Sequence, residues 1–113
     1  MSSVKLEIAS EVVMKNGVAI KFSNGYMIAY GFIVLYGTFE DKGAYLCTLE
    51  VNTPFPVNFV DSNPVVCATT SGTTGGIYRL EKDTDKIKSI TLIGNGAYEF
   101  STTANYIAIG RWK

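Results

Sequence analysis

The sequence predicts an all-β protein, a single antiparallel β-sandwich of about eight to nine strands, on three observations. Apolar residues alternate with period two through most of the chain, glycine and asparagine punctuate that alternation, and the turn signals recur about every eight to twelve residues. The chain has 113 residues and a mass of 12.3 kDa. At that size it can bury about two thirds of its unfolded surface, enough for one core and too little for two.

Residues 4–14 open ambiguously. Val4, Leu6 and Ile8 alternate like a strand, while Val4, Ile8 and Val12 also fall at helical spacing. A strand or extended connector is the expectation, with one short helix as the alternative. Asn16-Gly17 then turns the chain into a strand over 18–22. Asn24-Gly25 predicts a type I′ hairpin turn, because both residues accept positive φ. The return strand over 26–36 puts Tyr26, Ile28, Tyr30, Phe32, Val34 and Tyr36 on one face. Met27, Ala29, Gly31, Ile33 and Leu35 lie on the other, so its second half is apolar on both sides. Such a strand is central in a sandwich or buried against another subunit.

After Glu40-Asp41-Lys42-Gly43, residues Tyr45, Cys47, Leu49 and Val51 share a face opposite Thr48, Glu50 and Asn52. Pro54-Phe55-Pro56 breaks the ladder, since proline lacks the N–H that a central strand needs. Phe55 and Phe59 are expected to fold inward as plugs at one end of the core. A short strand follows over 64–70, then the polar loop 71–76. Strands over 77–82, 87–93, 97–101 and 105–111 finish the chain, the last two separated by Thr102-Thr103-Ala104. The expected core comprises Ile20, Phe22, Ile28, Tyr30, Cys47, Leu49, Val66, Leu92, Phe100 and Ile107; Tyr36 is read as core as well. Tyr78 and Arg79 are read as exposed.

Composition narrows the chemistry. Ten Lys and Arg balance ten Asp and Glu, which argues against a cationic footprint for nucleic acid or an anionic membrane. There is no histidine, so no Ser-His-Asp or Cys-His pair can form within the chain, nor a zinc site with a histidine ligand. Charged residues make up 18% and hydrophobic residues 47% of the sequence, which suggests apolar surface hidden against partner chains. The N-terminus shows no signal peptide, and no run reaches the roughly 20 apolar residues of a membrane helix. Cys47 and Cys67 each sit in an apolar run and are expected to be reduced, buried thiols.

No cofactor or metal is expected, and the chain is read as not an enzyme. Glu40-Asp41 and Asp83-Thr84-Asp85 are the close carboxylate pairs, and both lie in predicted turns, where aspartate usually bonds its own backbone. A glycosidase site assembled from carboxylates of adjacent chains is the enzymatic alternative. Asp83-Thr84-Asp85-Lys86 has too few oxygen ligands for a calcium loop. The glycines of 72–76 lack the Lys-Ser/Thr of a phosphate loop.

Two stretches carry a family resemblance. Asn16-Gly17-Val18-Ala19-Ile20-Lys21-Phe22-Ser23-Asn24-Gly25-Tyr26-Met27-Ile28-Ala29-Tyr30-Gly31 resembles the opening hairpin of the C-terminal tip domains of bacteriophage tail fibres and tail receptor-binding proteins. Tyr106-Ile107-Ala108-Ile109-Gly110-Arg111-Trp112-Lys113 is similar to their terminal strand. Between them, Val51-Asn52-Thr53-Pro54-Phe55-Pro56-Val57-Asn58-Phe59 followed by Asn63-Pro64-Val65-Val66 resembles the family's Phe-Pro…Phe…Pro-x-Val segment. The resemblance covers residues 16–113, with 1–15 as a connector or extra strand at a possible stalk junction.

The resemblance implies a homotrimeric knob at the distal end of an upstream fibre stalk, binding a bacterial surface glycan or protein. The virion tail is then its place of action and the host cytoplasm its place of synthesis. A purely structural trimerisation module is a further alternative. Strand parity selects the receptor end. If residues before Asn16 are a connector, Asn24-Gly25, 53–63, 83–86 and 102–105 are distal. If 4–14 is a paired strand, 40–43, 71–76 and 94–96 are distal instead. The first arrangement makes Tyr26 a stacking face for a sugar, with Asp61, Ser62 and Asn63 as its hydrogen-bonding groups.

Overall fold

The computed structural model describes residues 7–60, 64–71 and 76–113, and every regular element among them is a β-strand. In chain order these are β1 (Ile8–Met14), β2 (Gly17–Phe22), β3 (Tyr26–Thr38), β4 (Glu40–Asp41), β5 (Tyr45–Pro54), β6 (Val65–Ser71), β7 (Gly76–Lys82), β8 (Lys86–Gly94) and β9 (Glu99–Arg111). They form two antiparallel sheets, one ordered β1-β2-β3-β9-β6 and the other β4-β5-β8-β7. The all-β expectation holds, and the ambiguous N-terminal stretch is a strand from Ile8 onward. Val13 pairs with Val18 and Glu11 with Ile20 across the Lys15-Asn16 turn.

The first sheet is built on the long β3–β9 ladder, which runs from Tyr26↔Arg111 to Thr38↔Glu99 without a register shift. The turn expected at Thr102-Thr103-Ala104 does not form. Leu35 pairs with Thr102 and Ile33 with Ala104, and β-branched threonine suits a pleated strand as well as a turn. The hairpin before β3 also differs from the expected type I′ turn. Gly25 N–H donates to Phe22 O at 3.0 Å, and Gly25 (φ 96°), not Asn24, takes positive φ. The loop therefore has three residues, Ser23, Asn24 and Gly25, in the manner of a tight turn closed by a left-handed glycine.

Between the sheets lie Met27, Ala29, Ile33 and Leu35 of β3, Ala104, Tyr106 and Ala108 of β9, and Ile87, Ile90 and Leu92 of β8. Cys47, Leu49 and Val51 of β5 pack against them, as their alternation requires. The largest inserts come from outside the sheets' central strands. Phe55 and Phe59 plug one end as expected, edge to face at 5.1 Å. Phe39 fills the other end, stacked on Phe100 at 4.5 Å and edge-on to Tyr98 at 5.2 Å.

Those inserts explain the principal correction to the expected core. Leu92 and Phe100 are buried, and Cys47, Leu49 and Val66 pack against the core. Tyr30, Tyr36 and Ile107 are exposed, and Ile20, Phe22 and Ile28 are half-buried on the same outward side. Where Phe59 and Tyr106 pack, the inward positions of β3 and β9 beside them are glycines. A Cβ on Gly110 would come within 2.6 Å of Phe59, and one on Gly31 within 2.9 Å of the Tyr106 hydroxyl. Cys67 likewise faces outward and is exposed, not buried; both cysteines are free.

Candidate functional site: the outer face of the five-stranded sheet

The two sheets differ in what they show the outside. On the four-stranded sheet, Thr48, Glu50, Ser89, Thr91, Arg79 and Glu81 share the outward registers. Thr48 and Thr91 hydroxyls share a hydrogen bond of 2.9 Å, and Arg79 pairs with Glu81 at 2.8 Å. Apart from Thr91, which is buried, and Leu46 and Ile93, half-buried in the next register, this is an ordinary solvated face.

The five-stranded sheet presents rows of apolar side chains. Ile20, Ile28, Ile109 and Val65 stand in one register across β2, β3, β9 and β6. The next row is Val18, Tyr30, Ile107 and Cys67, continued by Val13 on β1. Further along, Phe32, Val34 and Tyr36 alternate across from Asn105, Thr103 and Ser101. Val34 is 61%, Tyr36 74%, Ile107 52% and Val65 63% exposed. Five strands about 4.8 Å apart, with about 3.4 Å per residue, give this face a footprint of roughly 700–800 Å². That is near the roughly 800 Å² per partner of a stable protein interface.

Tyr26, one of the four residues expected to bind receptor, lies at one end of this face. Asn24 Oδ1 accepts the Tyr26 backbone N–H at 3.1 Å, and Gly25 O accepts that of Trp112 at 3.0 Å. Trp112 Nε1–H donates to Phe22 O at 2.8 Å, locking the chain end under the hairpin. Tyr26 is exposed, as expected, but the Arg111 guanidinium sits 5.2 Å from its ring centroid. A sugar stacking there has to share the ring with that cation or displace it. Asp61, Ser62 and Asn63 lie outside the described residues. Their flanks reach the same end: Val60 N–H donates to Arg111 O at 2.9 Å, and Pro64 is buried against Gly110.

The expected arrangement of ends changes, because β1 is a paired strand. Ile8 pairs with Phe22, and Ser23 N–H donates to Glu7 O at 2.8 Å, so β1 begins at the Asn24-Gly25 end. The opposite end carries the turns at 42–44 and 94–98.

Of the two carboxylate pairs, Glu40-Asp41 is tied up in its own turn. Asp41 Oδ1 accepts the Gly43 N–H at 3.2 Å within its own turn, and Glu40 faces Lys42 at 3.9 Å. Among the described residues no three His, Cys, Asp or Glu side chains gather into a metal-binding group, and no helix is long and apolar enough to cross a membrane. Burial raises the phenol of Tyr106 above its ordinary range. Sequence reasoning took the doubly apolar stretch of β3 as a sign of contact with another subunit and did not name Val65, Ile107 and Ile109 as part of the same face.

Comparison with known protein families, with curated proteins and with solved structures finds no match.

Proposed function

We propose that this chain is a self-assembling recognition module: a tip domain of a phage tail fibre that trimerises and attaches to a bacterial surface receptor, with a glycan as the leading receptor class. The observation that carries the assembly half is the apolar outer face of the five-stranded sheet beside the polar face of its neighbour. Burying rows of isoleucine, valine and tyrosine is favourable at about 25 cal/mol per Å², and copies of the same chain offer the matching surface. The attachment half rests on the motif resemblance over residues 16–113.

In this reading a stalk joined through β1 meets the domain at the Asn24-Gly25 end, and the turns at 40–43 and 94–96 face the receptor, with the ends of β6 and β7 that flank residues 72–75. A panel of bacterial cells and purified surface polysaccharides tests it. Retention without product supports the tip reading. Release of reducing ends favours a depolymerase built from carboxylates of neighbouring chains, and no retention at all favours a purely structural trimerisation module. On a retaining host, replacing Thr73 and Thr74 by Ala should abolish binding, while Asp61→Ala with Asn63→Ala should leave it. The reverse result returns recognition to the Tyr26 end.

A further inference from the structure

A second surface lies on the flank of the sandwich, along the edge of β3 where Phe32, Val34 and Tyr36 border the outer face. The ladder between β2 and β3 stops at Gly17↔Gly31, whereas β3 continues to Thr38. Phe32 N–H donates to Asn16 O at 3.2 Å on the β2 side, while Phe39 N–H donates to Tyr98 O at 3.0 Å on the β9 side. Backbone groups of an antiparallel strand alternate in direction. Val34 and Tyr36 therefore aim their N–H and C=O groups away from β9, past the end of β2, where no described strand lies.

Across the sandwich, β5 is likewise left open. On that side β4 pairs only with Tyr45 and Leu46. Between the two open edges runs a groove of about 670 Å³, lined by Phe32, Val34, Tyr36, Leu49 and Val51, with Lys15 and Glu50 in its walls. Neither of those two charges has an ion-pair partner among the described residues. A volume of this size is typical of ligand-holding clefts. Exposed edges in natural sheets are usually blunted by lysine, proline or a bulge. The stretch Ile33-Val34-Leu35-Tyr36-Gly37-Thr38 has neither lysine nor proline, and its ladder to β9 has no bulge.

We infer that this open edge is a strand-addition site for an extended peptide of a partner protein. The peptide's backbone pairs with Val34 and Tyr36, and its apolar side chains at alternate positions enter the groove. An acidic residue lies against Lys15 and a basic one against Glu50. In this mode main-chain hydrogen bonds supply affinity, and alternate side chains in pockets supply specificity.

The probe is a random peptide display library selected on the full chain. Enriched peptides should alternate apolar and polar residues and carry an acid near one end. Val34→Pro removes an edge-facing N–H and leaves the β9 ladder its donors, so binding should weaken by roughly tenfold. Lys15→Glu, remote from the core, should shift selection from acidic to basic peptides. Backbone exchange at Val34 and Tyr36 should slow when peptide is bound. Failure to enrich peptides, equal binding by Val34→Pro, or displacement by surface polysaccharide alone would overturn the inference. So would a free protein whose Val34 and Tyr36 amides are already protected in an oligomer that Val34→Pro dissociates. That last result would assign the edge to contacts between copies.

Discussion

Gly110 lies directly beneath Phe59: a Cβ added at Gly110 would meet Phe59 Cδ1 at 2.6 Å and Cε1 at 3.1 Å, with Pro64 Cβ at 3.3 Å. The contact joins the last strand to the loop that closes one end of the core. It accounts for glycine at this inward position of β9, next to the outward Ile109. Gly110→Ala should therefore cost about 1–3 kcal/mol through overpacking, read as a lowered midpoint in urea with an unchanged slope.

Phe55 touches both Phe59 and Tyr106, edge to face at 5.1 and 6.0 Å. Removing its ring leaves a cavity that neither partner can fill without leaving the other. Phe55→Ala should destabilise the fold by about 3–5 kcal/mol, more than Gly110→Ala. Equal losses would mean that the end of the core collapses around the missing ring.

Tyr106 supplies a pH dependence. Burial raises its phenol above the ordinary value, so the folded chain holds that proton more tightly than the unfolded chain. Below about pH 10 the phenol is neutral in both states and stability is unaffected. As pH rises through the unfolded and then the folded pKa, the unfolded state ionises first and stability falls. Urea midpoints for the native protein should drop above about pH 10, and Tyr106→Phe should flatten part of that drop. An identical alkaline slope in the variant would assign the effect elsewhere.

The sole tryptophan, Trp112, reports on the hairpin and the chain end together. Its Nε1–H donates to Phe22 O at 2.8 Å, and the ammonium groups of Lys21 and Lys113 each stand 5.0 Å from its ring. Trp112→Phe keeps a ring and removes the donor. The loss should be about 1 kcal/mol, measured by thermal or urea unfolding followed by circular dichroism.

Much of this architecture is legible in the residues. The alternation over Tyr45, Cys47, Leu49 and Val51 gives both the strand and its inward face, because Thr48 and Glu50 mark the outside. Phe55 and Phe59 are legible as plugs because prolines on either side of Phe55 end the ladder there. β3 is not decided by its own sequence. Both of its faces are apolar, and what chooses between them is the bulk arriving from Phe59 and Tyr106, far away in the chain. Thr102-Thr103-Ala104 misleads for a related reason: small polar residues suit a turn, and they equally suit a strand that pairs along its whole length with β3. The candidate interface is legible as an excess of apolar residues and in the doubly apolar second half of β3. Its location follows from which face the core leaves over.

The most direct test of the account is the oligomeric state of the native protein and of one surface variant, measured by light scattering at micromolar concentration. The native chain should scatter at about three times 12.3 kDa. Ile107→Lys with Ile109→Lys places two charges on the outer rows without touching the core, and should give a monomer that melts as a folded protein. A native monomer, or a variant that keeps the native mass, would contradict the assignment of the five-stranded sheet's outer face as the surface on which copies assemble.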